Sequence, residues 1–224
     1  MKKLQSTLPN MVVVLTAVAV ISGAVLASVN HATEAPIKAQ GEKALAEGIK
    51  NVMATEDLQV AWEDTIRLDI NGKEQAFVVH HVNDAQGNAL GAAVESTTMG
   101  FGGDLKVLVG FSGDDKILGY TVLQHAETPG LGAKAATWFQ KDGKGSIIGK
   151  TPKDGDLHVS KDDKSGNAVD AITASTITSR AFLKAINQAY AVYAKKDVDG
   201  ESGASQKADA ESGVSKVEHN EKKG

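Results

Sequence analysis

Asp170-Ala171-Ile172-Thr173-Ala174-Ser175-Thr176-Ile177-Thr178-Ser179 carries five hydroxyl side chains among the seven residues from Thr173 onward. Directly after it, Phe182, Ile186, Ala189, Tyr190 and Tyr193 recur at helical spacing and define one apolar face. The decad therefore opens a helix whose apolar face should pack on a sheet. A helix N-terminus leaves several backbone N–H groups unpaired and carries partial positive charge, so it suits a phosphate, and hydroxyls add donors. Capping by one Ser or Thr accounts for one or two of these residues and leaves the others unexplained.

Upstream, from Gln59, short apolar runs are divided by turn chemistry at Asn71-Gly72, Asp84 to Asn88 and Ser112 to Asp115. Ala76 to Val82, Leu90 to Val94, Leu105 to Phe111 and Ile117 to Leu123 read as strands, and their short connections favour antiparallel pairing. Two glycine-rich stretches, Gly100-Phe101-Gly102-Gly103 and Thr128-Pro129-Gly130-Leu131-Gly132, permit tight turns or close approach of the backbone to a ligand. Neither fits a dinucleotide or Walker pattern. The expected class is α+β.

At the other end, Lys2 and Lys3 precede an apolar run from Met11 to Val29 that holds seven valines, two leucines and Ile21. Those ten residues favour bilayer insertion by about 3–6 kcal/mol in total. The length suffices to span a bilayer, and the preceding lysines put the N-terminus in the cytoplasm and everything after Asn30 outside. Ser22-Gly23-Ala24 also fits a signal-peptide cleavage site. The run continues past that point through Val25, Leu26 and Val29, which favours a retained single-pass anchor. Its small residues, Ser22, Gly23, Ala24 and Ala27, suit packing against other membrane helices. Beyond it, Pro36 opens a segment with Ile37, Leu45, Ile49, Val52 and Met53 on one helical face. The expected organisation is an anchor over residues 1–30, an extracytoplasmic domain over 31–198, and a polar tail over 199–224 too poor in apolar residues to fold.

A net charge of −4 over 224 residues leaves no basic stripe for a nucleic-acid backbone. The absence of cysteine excludes disulfides, Cys-ligated zinc, iron–sulfur clusters and c-type haem attachment. Redox chemistry in such a chain requires an organic cofactor.

The string DAITASTITS resembles the signature D-[AG]-[IV]-[ST]-G-A-T-x-T-S of the FMN-binding domain shared by the G subunit of the Rnf complex and the C subunit of sodium-translocating NADH:quinone reductase. Asp170, Ile172, Thr173, Thr176, Thr178 and Ser179 match. His125-Ala126-Glu127-Thr128-Pro129-Gly130-Leu131-Gly132 is similar to the family's H-x-E-T-P-G-L-G segment, which lines the flavin. The resemblance covers roughly the whole chain except the tail and is greater to the Rnf G-like branch. It departs at Ala174, where the family has glycine, and at Ser175, where it has alanine and where a second hydroxyl stands beside the first.

The resemblance implies FMN esterified through its phosphate to Thr176 by a separate flavin transferase that takes FMN from FAD. It implies a cofactor site of Thr173, Ala174, Ser175, Thr176, Ile177 and Thr178 together with Glu127, Thr128, Gly130, Leu131 and Gly132, with Ser175 as a competing acceptor. Glu127, Thr128 and the amides of Gly130 to Gly132 are expected to contact the ring. The implied function is electron relay in a membrane-bound, ion-translocating ferredoxin:NAD oxidoreductase of the bacterial inner membrane, beside the other membrane subunits of that complex. Turnover by this chain alone is not expected. Alternatives are the quinone-reductase C subunit, a stand-alone extracytoplasmic FMN domain, and, in a different class, a noncatalytic anchored subunit whose hydroxyls only cap a helix.

Other residues carry weaker claims. His80 and His81 are adjacent in a strand, point to opposite faces, form no joint metal site and read as ordinary strand residues. His125 reads as structural or as a hydrogen-bonding neighbour of the flavin loop. Trp62, Trp138 and Phe139 read as core or interface aromatics. Lys161 and Lys164, beside Asp162 and Asp163, read as a solvated face and stand outside the expected site.

Overall fold

The computed structural model describes residues 7–202 except 56 and 71–72. Contacts divide the chain into two units, residues 1–46 and 47–224. The first consists of most of a single helix, α1 (Leu8–Met53), whose apolar stretch is long enough to cross a membrane. Pro36 lies inside this helix rather than at its start, so the segment expected as a separate amphipathic helix is continuous with the apolar one. Ile37 is 66% exposed, and only Ile49, Val52 and Met53 of the expected face are fully buried. The flanking lysines Lys2 and Lys3 lie outside the described residues.

The second unit is built on five antiparallel strands in sequential order: β1 (Leu58–Ile70), β2 (Lys73–Asp84), β3 (Ala89–Met99), β4 (Asp104–Ser112) and β5 (Ile117–His125). The α+β architecture and antiparallel pairing match the sequence expectation. At the β2–β3 turn, Asp84 Oδ1 accepts hydrogen bonds from the amides of Gln86 and Asn88, and Gly87 has φ +87°. At the β4–β5 turn, Asp115 takes φ +62° and donates its N–H to Ser112 O. The Asn71-Gly72 turn lies outside the described residues.

After β5 come a 3₁₀ turn (Gly132–Lys134), a short helix α2 (Ala135–Trp138), a parallel pairing of β6 (His158–Val159) with β7 (Ala168–Val169), and the long helix α3 (Thr176–Ser202). Helix α3 buries Phe182, Ile186, Ala189 and Tyr193 against the sheet, in one core with Phe77, Val79, Val94, Val107, Val109 and Phe111. Phe182 stacks on Phe139 with ring centroids 4.3 Å apart. Residues 199–202 of the expected tail continue α3, and 203–224 lie outside the described residues.

Strand alternation places Leu108 and Gly110 on the face opposite that core. There the last turns of α1 pack so closely that a Cβ at Gly110 would overlap the Val52 carbonyl. A Cβ at its cross-strand partner Gly119 would stand 2.9 Å from the same oxygen. The sheet is thus covered on both faces, by α3 and by residues 48–53, and the loops at the α3 N-terminus are free to form a site.

Candidate functional site

Strand β5 ends at His125, and its Nδ1 accepts the Glu127 N–H at 3.2 Å, which shapes the exit from the sheet and gives His125 a structural role. Thr128 to Leu131 then close a turn, with Leu131 N–H donating to Thr128 O at 3.1 Å. Pro129 and Gly130 occupy its centre, and Gly130 has φ +76°, a value that favours glycine. Gly130 therefore serves the turn.

The hydroxyl-rich decad is pinned at several points. Trp138 Nε1 donates to Asp170 O at 2.8 Å, and Ser160 Oγ donates to Asp170 Oδ1 at 2.8 Å. Ser179 Oγ accepts the Ile172 N–H at 3.0 Å and donates to Ser175 O at 2.9 Å, so its hydroxyl folds the loop back onto the helix start. Ala174 has φ +60°, the left-handed region. Its side chain is exposed, so the difference from glycine lies in backbone strain rather than in crowding. Thr176 is the first residue of α3 and is half-buried, whereas Ser175 before it is buried.

Glu127 joins the two motifs. It is 5% exposed, and its Oε1 accepts the amide of Phe101 at 2.7 Å and that of Gly102 at 3.4 Å. Its Oε2 accepts the Thr178 hydroxyl at 2.8 Å. A Cβ at Gly100 would overlap Glu127 Oε1, so glycine there is what lets the β3–β4 loop lie against the carboxylate.

Around this clamp lies a cavity of about 420 Å³ lined by Phe101, Glu127, Thr128, Leu131, Gly132 and residues 174–178. The structure therefore brings nine of the eleven expected site residues to one cavity, while Thr173 and Gly130 do not line it. It adds Phe101, 69% exposed at the rim. Trp138 and His125 do not line the cavity.

Lys161 is the second residue that sequence reasoning left out. Its Nζ lies 3.5 Å from Thr176 Oγ1. The loop that carries it is held on either side, by Ser160 on Asp170 and by Asp162 in a two-pronged pair with Arg180 of α3. The Arg180 guanidinium holds the Asp162 carboxyl below its usual range. Lys161 is exposed, as the reading of a solvated face expects, and it also reaches the Thr176 hydroxyl. No residue spacing in the sequence signals the contact, because β6 and β7 make it.

Two other features stand apart from this cavity. His80 is 1% exposed on the sheet, with Nδ1 3.0 Å from Glu63 and Nε2 2.9 Å from Glu95, which also pairs with Lys106. This corrects its reading as an ordinary strand residue, because it is the buried centre of a charged row that runs out to exposed Glu63 and to Lys106. His81 instead stacks on Trp62 at 4.3 Å, so the two rings do diverge as expected. A wider cleft of about 580 Å³ runs between Leu68 and Ile70 of β1, the β6 segment and Asn187 and Gln188 of α3, and neither motif lines it.

Residues 100–191 match the FMN-binding domain family. The fold and site thus define a flavin-nucleotide-binding domain on a chain with an apolar N-terminal helix. The chain is 36% identical over 124 residues to the G subunit of the Na(+)-translocating ferredoxin:NAD(+) oxidoreductase complex of Acetobacterium woodii, covering 54% of this chain and 58% of that one. It is 31% identical over 179 residues to the G subunit of the proton-translocating ferredoxin:NAD(+) oxidoreductase complex of Clostridium ljungdahlii, covering 78% and 85%. It is 30% identical over 181 residues to the G subunit of the ion-translocating oxidoreductase complex of Shewanella oneidensis, covering 76% and 82%. The chain belongs to the family of G subunits of ion-translocating oxidoreductase complexes.

Proposed function

We propose that this chain is the membrane-anchored, electron-carrying G subunit of an ion-translocating ferredoxin:NAD oxidoreductase complex, with FMN held as a phosphoester on Thr176. The observation that carries this reading is the position of the Thr176 hydroxyl. It stands at the first residue of α3, half-buried, at the edge of a 420 Å³ cavity assembled from both motifs. That volume lies within the usual range of small-molecule sites.

The lining suits the two ends of a flavin nucleotide. Phe101, Leu131 and Ile177 offer apolar surface to a flat ring, and Ile177 is 54% exposed at the mouth. The N-terminus of α3, as a helix start, and the Lys161 ammonium suit the phosphate. Bound FMN supplies reversible electron transfer, and the chain has no cysteine to hold an iron–sulfur cluster in its place. The protein holds the flavin in place, shields it and sets the charge around it. Glu127 acts here as a positioning residue, because both its oxygens face protein donors.

In this reading the α1 helix crosses the inner membrane once and packs against other subunits of the complex, with residues after the span on the periplasmic side. A flavin transferase acting there loads Thr176 from FAD. Two of the relatives are named for different ions, Na(+) in one and the proton in the other, so membership in this family leaves the coupling ion open.

The test is coexpression of the full chain with a flavin transferase, read by intact mass and in-gel fluorescence. One FMN less one water should be added. Thr176→Ala should abolish labelling, and Ser175→Ala should keep it. A dark, unmodified wild-type chain beside a labelled control substrate would favour the noncatalytic anchored reading. Orientation has its own test: Gly113→Cys is a lone thiol in this chain, and a membrane-impermeant maleimide should label it from the periplasm.

A further inference from the structure

The structure assigns Lys161 as the cation that accompanies the phosphate transfer to Thr176. This inference rests on the proposed attachment at Thr176. The Lys161 Nζ lies 3.5 Å from Thr176 Oγ1, close enough for either the oxygen or a phosphate bound to it to share the ammonium. The lysine is presented by a loop fastened at its two neighbouring residues. Ser160 Oγ holds Asp170 Oδ1 at 2.8 Å and Ser160 N–H holds Val169 O at 2.8 Å, while Asp162 is gripped by the Arg180 fork from the same helix that begins with Thr176. The lysine's backbone and its target are therefore tied to one frame, and only its side chain must settle. Such pre-organisation lowers the cost of placing a charge.

The step is a phosphoryl transfer with no change of oxidation state. Thr176 Oγ bonds to the flavin-side phosphorus of FAD as that phosphorus loses its bridging oxygen to the adenylate half. AMP leaves, and the hydroxyl proton passes to a base of the transferase. Loss of the hydroxyl proton leaves the attacking oxygen with negative character beside an already anionic phosphoryl group, and the product is a phosphodiester with one negative charge. Lys161 offsets charge at both stages, in company with the positive end of α3. The acids on the same loop, Asp162 and Asp163, accept hydrogen bonds from Arg180 and from Ser165 respectively.

The experiment uses the full chain with purified transferase and FAD, following covalent incorporation over time by in-gel fluorescence. Lys161→Met should slow the initial rate about tenfold. Lys161→Arg should restore it. Because the lysine is exposed, the ratio of wild-type to Lys161→Met rates should shrink as salt is added. In the loaded protein, the ³¹P resonance of the diester should shift in Lys161→Met relative to wild type. Equal rates for wild type and Lys161→Met, a slow Lys161→Arg, or a rate ratio indifferent to salt would each overturn the assignment while leaving Thr176 as the acceptor. A wild-type chain that takes no flavin would instead overturn the attachment itself.

Discussion

Glu127 and Thr178, 51 residues apart in sequence, meet in a 2.8 Å hydrogen bond that closes the cavity floor between the loop after β5 and the first turn of α3. Because Glu127 also accepts two amides of the β3–β4 loop, one buried carboxylate holds three separate segments in register. Replacing it with leucine strands the Phe101 N–H and the Thr178 hydroxyl, and each unmet buried group costs about 1–3 kcal/mol. Glu127→Gln keeps an oxygen for the loop amides and an N–H for the Thr178 oxygen, so it should cost about 1 kcal/mol. Thermal unfolding of both variants checks the order. In flavin-loaded protein, Glu127→Gln also removes a negative charge beside the cavity and should raise the flavin midpoint potential. An unchanged potential would limit the glutamate to a purely mechanical part.

Ala174 sits at φ +60° with an exposed side chain. The left-handed conformation costs a residue with a Cβ about 1–2 kcal/mol, whereas glycine would add about 0.4–1 kcal/mol of unfolded-state entropy. The balance predicts that Ala174→Gly stabilises the protein by about 0.5–1 kcal/mol, a gain measurable in denaturant melts. Loss of stability would mean that the loop relaxes around alanine more fully than its dihedral shows.

The strands from β2 to β5 are legible in sequence because each is bounded by turn residues that do identifiable work, Asp84 and Gly87 at one turn and Asp115 at the next. β1 is harder to read. Its bulge between Val60 and Trp62 breaks the two-residue period, and both residues are exposed. β6 and β7 are two residues each, too short for any periodicity to show. Pro36 misleads for a different reason, since proline commonly opens helices yet here sits within one. The site is legible where its residues are contiguous, at 127–132 and 174–178. Phe101 and Lys161 escape because their places at the cavity and beside Thr176 are tertiary facts.

His80 gives the domain a pH dependence with a definite sign. Burial opposes protonation of its ring, but the hydrogen bond to Glu95 and the charges of Glu95 and Glu63 outweigh burial and raise its pKa above 6.5. Burial pushes Glu95 upward, and its bonds to His80 and Lys106 outweigh that, leaving it below 4.5. The histidine's contribution is fully present below 6.5 and is lost as pH rises through its folded value. The glutamate's is present above 4.5 and is lost as pH falls through its own lowered value. Stability of the full chain in detergent should therefore decline as pH rises from 6.5 through the folded value of His80, and His80→Gln should flatten that decline. Parallel melting curves for the two proteins across this range would show that the row of Glu63, His80, Glu95 and Lys106 is not coupled to folding.

Gly110 and Gly119 face each other across β4 and β5, and above them the Val52 carbonyl approaches the sheet as a bulkier pair would forbid. A methyl at Gly110 would overlap backbone atoms, which cannot rotate aside as a side chain can, so Gly110→Ala must lift residues 48–53 or bend β4. Either response loosens contacts of Ile49, Val52 and Met53, all buried. A cost of about 1–3 kcal/mol is expected, the usual penalty for overpacking a filled interface. Gly113→Ala is the control, because no atom lies within 4 Å of the added methyl, and it should leave the melting temperature nearly unchanged. Hydrogen exchange in the last turns of α1 separates the two responses: faster exchange there means the helix end has lifted, and faster exchange confined to β4 means the strand has bent. If Gly110→Ala and Gly113→Ala melt alike, the close approach of the helix carbonyl to the sheet is not what stabilises this face.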